Sequence, residues 1–193
     1  MNIFIASGSP RKNGNTQQLT DIVHKELTKL GHHIQEIWLH DKKIEPCIAC
    51  RKCQRDWTSY GCFIKDDMQE IVNQVMESDI IVLATPIYAW YCTPPMKAMI
   101  DRFVYGLNKF YGDEIGPSLW KGKTLALITT CGYRPEKGAD LFEEGMKRYA
   151  KHCNLNYSDM LCARHLGYNV EFMDKEKEDS ARNFAHYLHS LQL

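Results

Sequence analysis

Ile3-Phe4-Ile5-Ala6-Ser7-Gly8-Ser9-Pro10-Arg11-Lys12-Asn13-Gly14-Asn15-Thr16 opens the chain as an apolar run, then a loop of small and basic residues. A helical period starts directly after it, with Leu19, Ile22, Val23, Leu27 and Leu30 on one face. A strand that feeds a helix through such a loop presents unpaired N–H groups and a positive dipole end to an anion. The Ser9 and Thr16 hydroxyls and the Arg11 guanidinium complete a phosphate cradle. An ordinary turn capped by Asn15 or Thr16 is the simpler reading, but a cap needs neither the serines nor Arg11-Lys12. Gly8 and Gly14 are too far apart for the dinucleotide fingerprint G-x-G-x-x-G. Gly116 to Thr124 nearly spells a P-loop, yet it carries one residue too many and precedes a strand. A mononucleotide phosphate at Ser9–Thr16 fits best.

Beyond this loop, β-type runs and helical periods alternate. The runs are Ile3–Ala6, Ile34–Leu39, Ile80–Ala84, Leu125–Thr129 and a weaker one near Asn156–Cys162. Helical faces follow at Met68, Ile71, Val72, Val75 and Met76, then at Met99, Ile100, Phe103, Val104 and Leu107. Two more are Leu141, Phe142, Gly145, Met146 and Tyr149, and Ala181, Phe184, Ala185, Leu188 and Leu191. Asp67 with Glu70 reads as a capping box, Pro94-Pro95 as a first turn and Gly31 as a helix end. Five strands alternating with five helices predict an α/β fold, a doubly wound five-stranded parallel sheet with helices on both faces. Ligands bind beyond the carboxyl ends of such strands, so the loops after Ala6, Ala84 and Thr129 carry the chemistry.

Composition narrows the partners. The 193 residues amount to about 1.3 typical domains, and one domain over 1–193 is expected, with a cysteine-rich loop at about 44–65. Lys and Arg number 24 against 24 Asp and Glu, so no basic excess points to nucleic acid. The longest apolar run, Ile87–Cys92, has six residues, far short of the ~20 that span a bilayer. With no signal-peptide pattern at Met1–Pro10, the expected location is the cytoplasm. There, eight cysteines do not form a disulfide framework and must bind metal, do redox work or be buried.

Three segments carry a family resemblance: Gly8-Ser-Pro-Arg-Lys-Asn-Gly-Asn-Thr16; Ala84-Thr-Pro-Ile-Tyr-Ala-Trp90 with Met96-Lys-Ala-Met-Ile-Asp-Arg102; and Thr129-Thr-Cys-Gly-Tyr133. In this order the chain resembles the flavodoxin-like NAD(P)H-dependent FMN reductases. The resemblance implies that Ser9, Arg11, Asn15 and Thr16 hold the FMN phosphate. It implies that Pro86, Ile87, Tyr88 and Trp90 lie along the isoalloxazine, bordered by Thr130, Cys131 and Gly132. A flat, polarisable ring gains from aromatic contact, and N–H groups near its N1, O2 and N5 tune it. Core or interface packing is the competing role for Tyr88, Trp90 and Tyr91. Lys97, Asp101 and Arg102 match the family's helix pattern, with an ion pair stiffening the helix as their expected role.

Cys47, Cys50 and Cys53 are spaced C-x-x-C-x-x-C, and Cys62 follows in the same connection. Such spacing lets three thiolates reach three irons of a 4Fe–4S cubane, with a fourth closing it; structural zinc usually takes two separated pairs. Within the family the pattern resembles the iron–sulfur flavoproteins. The Gln54–Gly61 interval is longer than is typical of those proteins. Four reduced cysteines in a packing loop stand as the other reading. His24-Lys25-Glu26 with Pro46-Cys47-x-x-Cys50 spells a zinc-deaminase signature. Since His24 lies mid-helix at the edge of an apolar face, it reads as a solvated side chain. His32, His33, His165, His186 and His189 make no ligand constellation.

The resemblance thus implies an FMN-dependent oxidoreductase that takes electrons from NAD(P)H, with no side chain acting as acid or base. One alternative is an iron–sulfur electron carrier fed by a ferredoxin-like donor; another is a non-enzymatic, flavin-binding redox sensor. Aromatic residues in Ile87–Tyr91 and Val104–Trp120 suggest exposed surface near the flavin edge, and with the resemblance imply a homodimer or tetramer.

Overall fold

The alternation of apolar side chains along each strand sets the layers. In the computed structural model, which describes residues 1–191, five strands form one parallel sheet in the order β2-β1-β3-β4-β5. They are β1 (Asn2–Ser7), β2 (His33–Trp38), β3 (Ile80–Pro86), β4 (Thr124–Cys131) and β5 (Asn156–Arg164). The helices are α1 (Asn15–Lys29), α2 (Met68–Glu77), α3 (Pro94–Leu107), the short α4 (Pro135–Gly138), α5 (Asp140–Cys153) and α6 (Lys175–Ser190). Ile3, Ile5, Ile80, Val82 and Ile128 face α1 and α6, where Leu19, Val23, Leu27, Phe184 and Leu188 meet them. Phe4, Ile81, Leu83, Leu125 and Leu127 face the other way, onto α2, α3 and α5. Each such side chain contributes roughly 1.5–3 kcal/mol by leaving water. The order is flavodoxin-like, and its switch point lies between β1 and β3, whose connections depart to opposite faces. Among the described residues no helix is long and apolar enough to cross a membrane.

Several local expectations are corrected. The Asp67–Glu70 capping box does not form: Asp67 accepts from the Lys43 N–H at 2.7 Å, and Glu70 pairs with Lys42 at 3.0 Å. Asp66 takes part of the capping role, accepting from the Met68 N–H at 3.2 Å. Leu141 is exposed, because α5 starts at Asp140 and turns Phe142 and Met146 inward instead. The Val104–Trp120 segment is no exposed aromatic surface. Trp120 is buried against Phe103 and Tyr149, while Tyr105, Phe110 and Tyr111 pack on one another and on His152. That segment supports the cysteine-rich loop rather than the flavin edge. Its Gly116, part of the near P-loop, is a packing glycine, since a Cβ there would sit 2.7 Å from Lys109 and 2.8 Å from the Trp57 ring.

Candidate functional site

At the carboxyl end of β1 the chain is pinned before it turns. The Gly8 N–H donates to Ala84 O at 2.7 Å, and the Thr93 hydroxyl donates to Gly8 O at 2.7 Å. Ser9 Oγ accepts from the Arg11 N–H at 3.2 Å and donates to Arg11 O at 3.1 Å, which curls the loop. Gly14 closes it, and a Cβ there would meet Arg11 O at 3.0 Å. Gly14, not Asn15 or Thr16, is the N-cap of α1, and no side chain caps it. The backbone N–H groups of Asn15, Thr16 and Gln17 therefore have no acceptor among the described residues. An uncapped helix start of this kind is an anion seat.

This seat opens into a cavity of about 580 Å3. Ser9, Arg11, Asn15 and Thr16 line it from the first loop. Pro86, Ile87 and Tyr88 line it from the end of β3, and Thr130, Cys131 and Gly132 from the end of β4. A buried contact ties two of these walls together, Thr16 Oγ1 to Thr130 Oγ1 at 2.7 Å. Trp90 is the exception. It lines a smaller adjoining cavity of about 140 Å3, with Ile87, Cys131 and Gly132 shared between the two. Its indole N–H donates to Lys137 O at 3.0 Å and its ring stacks on Tyr133 at 5.9 Å, which hold it back from the main cavity. The turn that carries it is strained. Tyr88 and Tyr91 exchange backbone hydrogen bonds at 2.8 and 2.9 Å, so Ala89 and Trp90 both take left-handed φ, 48° and 63°. For non-glycine residues that costs of order 1–3 kcal/mol each, a cost that tends to concentrate at functional sites. Tyr91 packs inward, edge-on to Phe142.

A fourth wall escaped the sequence reading: His165, Tyr168, Glu171 and Phe172, from the connection between β5 and α6. Leu166–Phe172 has neither periodicity nor a motif, so only the topology, which ends β5 beside β4, could reveal it.

Behind the first loop, Glu36 gathers three donors: Ser7 Oγ at 2.9 Å, Gln17 Nε2 at 2.8 Å and His24 Nδ1 at 2.6 Å. This corrects the solvated reading of His24, which is half-buried and paired. The Glu36 hydrogen bond raises the His24 pKa above 6.5 against the opposing effect of burial. Burial would raise the Glu36 carboxyl, but the three hydrogen bonds reverse this and leave it below the ordinary value. The network ties β1, β2 and α1 together under the anion seat. Lys97 pairs with Asp101 one turn along α3, as expected, whereas Arg102 turns away from both and into the core.

The cysteine-rich loop lies between β2 and α2. Cys47, Cys50, Cys53 and Cys62 all line one small pocket of about 20 Å3, with Phe63, Tyr105 and Gly106. Cys53 is buried and donates to Tyr105 O at 3.1 Å, while Cys50 is exposed. Fully buried Lys109 holds the loop down, donating to Cys53 O at 2.8 Å and Gly106 O at 2.7 Å. Among the described residues no three His, Cys, Asp or Glu side chains converge into a metal-holding group. The four thiols thus face one pocket without converging on a single point.

Comparison with known proteins places this geometry. Residues 1–141 match the family model described as NADPH-dependent FMN reductase. The chain belongs to that family. Two proteins of Archaeoglobus fulgidus, each named iron-sulfur flavoprotein, are similar to this FMN reductase family member. One is 39% identical over 113 residues, 58% of this chain and 50% of that protein. The other is 35% identical over 134 residues, 69% of this chain and 61% of that protein. The chain thus spans about half to three-fifths of the length of these curated relatives. Among solved structures, an NAD(P)H:quinone oxidoreductase from Methanothermobacter marburgensis superposes with a TM-score of 0.75 at 14% identity, covering 100% of this chain and 99% of that one. That likeness speaks to the fold alone.

Proposed function

We propose that residues 1–193 form one FMN-binding domain and that the chain is an NAD(P)H-dependent oxidoreductase. The observation that carries this reading is the uncapped start of α1, its N–H groups free, opening on a cavity bounded by three strand-end loops. The cavity fits FMN in size, since about 580 Å3 lies within the roughly 300–1,000 Å3 usual for cofactor sites. Ser9, Arg11, Asn15, Thr16 and the free N–H groups would hold the phosphate. Pro86, Ile87, Tyr88, Thr130, Cys131 and Gly132 would line the ring. When bound, FMN supplies hydride and one- or two-electron chemistry. The chain's part is to bind, orient and shield. Replacing Arg11 by Ala should weaken FMN binding by about 1–3 kcal/mol, the worth of a charge-assisted hydrogen bond. Calorimetric affinities unchanged in both Arg11→Ala and Thr16→Ala would overturn the phosphate assignment. Oxidation of NAD(P)H at turnover separates the enzyme from a flavin-binding sensor.

The four thiols on one pocket favour a second reading, in which the loop draws in to bind a 4Fe–4S cluster that receives electrons from a ferredoxin-like donor. The names of the two archaeal relatives support it. Anaerobic reconstitution decides. Stoichiometric iron and sulfide, lost in Cys50→Ser while FMN is retained, is the outcome this reading expects, and less than about one iron per chain removes it.

The cavity rim supports a homo-oligomer, a dimer or a tetramer. Tyr88, Trp90 and Tyr133 are 49%, 46% and 62% exposed there, an aromatic cluster of the kind enriched at interfaces. Light scattering at micromolar concentration is expected to give at least twice the 22.4 kDa chain mass, and a value near that mass would count against it.

A further inference from the structure

Cys131 and Cys162 sit together on adjacent strands. Cys131 is the last residue of β4; Cys162 on β5 pairs with Thr129, two residues earlier, so both side chains point to the same face. Their sulfurs are 3.8 Å apart, against about 2.05 Å in a disulfide, so closure needs a movement of about 2 Å at the end of a strand. Cys131 is buried by the surrounding chain, yet it lies on the wall of both the 580 Å3 and the 140 Å3 cavities. A peroxide is little larger than water, and it can reach a sulfur on a cavity wall that bulkier oxidants cannot.

The other dispersed thiols differ in kind. Burial pushes Cys92 and Cys153 up to about 12, which keeps them protonated and inert. At Cys131 the hydrogen bond from Cys162 outweighs burial, with Arg164 adding to it, and the pKa falls below the ordinary 9.0. Cys162 is raised by the same contact and by burial. A thiol of lowered pKa beside one of raised pKa is the arrangement of a nucleophile and its resolving partner.

We propose that Cys131 and Cys162 are a peroxide-oxidisable dithiol whose disulfide closes on the wall of the cavity. Cys131 gives up its proton as its sulfur attacks one peroxide oxygen; the O–O bond breaks, and the leaving hydroxide takes that proton to become water. Cys131 is then a sulfenic acid. Cys162 attacks its sulfur, the S–O bond breaks, the S–S bond forms, and hydroxide leaves with the Cys162 proton as a second water. Two electrons from the thiol pair reduce one peroxide to two waters, and an external dithiol reverses the change. The assignment does not depend on which cofactor the cavity holds.

Treating the purified full chain with hydrogen peroxide, alkylating the remaining thiols and mapping peptides by mass tests it. The expected result is a peptide linked through Cys131 and Cys162, with loss of both thiols and recovery by dithiothreitol. In Cys162→Ser the reaction should stop at Cys131, and dimedone should label that sulfur several-fold more than in wild type. Full alkylation of Cys131 and Cys162 at a peroxide dose that oxidises exposed Cys50 would overturn the proposal, as would equal dimedone labelling in the two proteins. Should Cys162→Ser fail to fold, the wild-type peptide map decides alone.

Discussion

Replacing Asp66 by Ala is expected to cost about 3–5 kcal/mol of folding stability, measured by urea denaturation. Asp66 and Arg102 form an ion pair whose side chains are 0% and 1% exposed. The guanidinium donates to the two carboxylate oxygens at 2.8 and 3.2 Å, to Glu45 O at 2.8 Å and to the Tyr60 hydroxyl at 3.0 Å. Removing the carboxylate strands a buried cation that cannot shed its proton. The expected signature is asymmetric. A double change, Asp66→Leu with Arg102→Met, should recover most of the loss, because apolar residues of similar volume often replace a buried pair without penalty. A single-variant loss below about 1 kcal/mol would mean that water reaches the pair.

The same pair gives the fold an acid limb. Burial alone would raise the Asp66 pKa, but hydrogen bonds from Arg102 and from the Glu45 and Met68 N–H groups leave it below the ordinary 3.8. A carboxyl whose folded pKa lies below its unfolded value adds stability that is present above the unfolded value. It is lost as pH falls through the folded one. Wild type should therefore weaken relative to Asp66→Ala only below about pH 4, and the stability gap between them should narrow there.

What could be read from the sequence follows from which interactions are local. The strand–loop–helix at Ile3–Thr16 announces itself within fourteen consecutive residues, and the strands β1, β3 and β4 are apolar runs buried on both faces. Their end loops were legible for the same reason: parallel topology brings the carboxyl ends together whatever their spacing along the chain. The place of Trp90 is not legible locally, because it depends on a turn with two left-handed residues and on Lys137, forty-seven positions away. The wall from His165 to Phe172 carries no local signal. Arg102 looked like part of a helix-surface pattern with Lys97 and Asp101. Its partner Asp66 belongs to the loop before α2, and nothing in either segment marks the pairing. The cysteines were legible as a set and not as a geometry, since Lys109 and Gln54, which hold the loop, reach backbone carbonyls that no side-chain pattern encodes.

The second large effect is expected from a change of one methyl group. In Gly106→Ala the new Cβ would lie 2.1 and 2.3 Å from two carbons of the Tyr60 ring, so the ring or the helix must move. Helix propensity favours the substitution by up to ~1 kcal/mol, as Gly106 lies in the last turn of α3. Overpacking opposes it by about 1–3 kcal/mol, and Tyr60 cannot retreat freely because its hydroxyl accepts from Arg102 and its carbonyl from Lys109. Losing one of those hydrogen bonds costs about another 1 kcal/mol, so the net loss is expected at about 2–3 kcal/mol. A double-mutant cycle isolates the cause: in a Tyr60→Ala background the same Gly106→Ala change should be neutral or mildly stabilising. If it costs as much there as in wild type, the clash with Tyr60 is not the mechanism. The displacement should also be felt at the cysteine-rich loop, because Tyr60 and Cys53 are both held by Lys109. Cys53, buried and bonded to Tyr105 O, should then react faster with a thiol probe in Gly106→Ala than in wild type, while exposed Cys50 reacts at an unchanged rate.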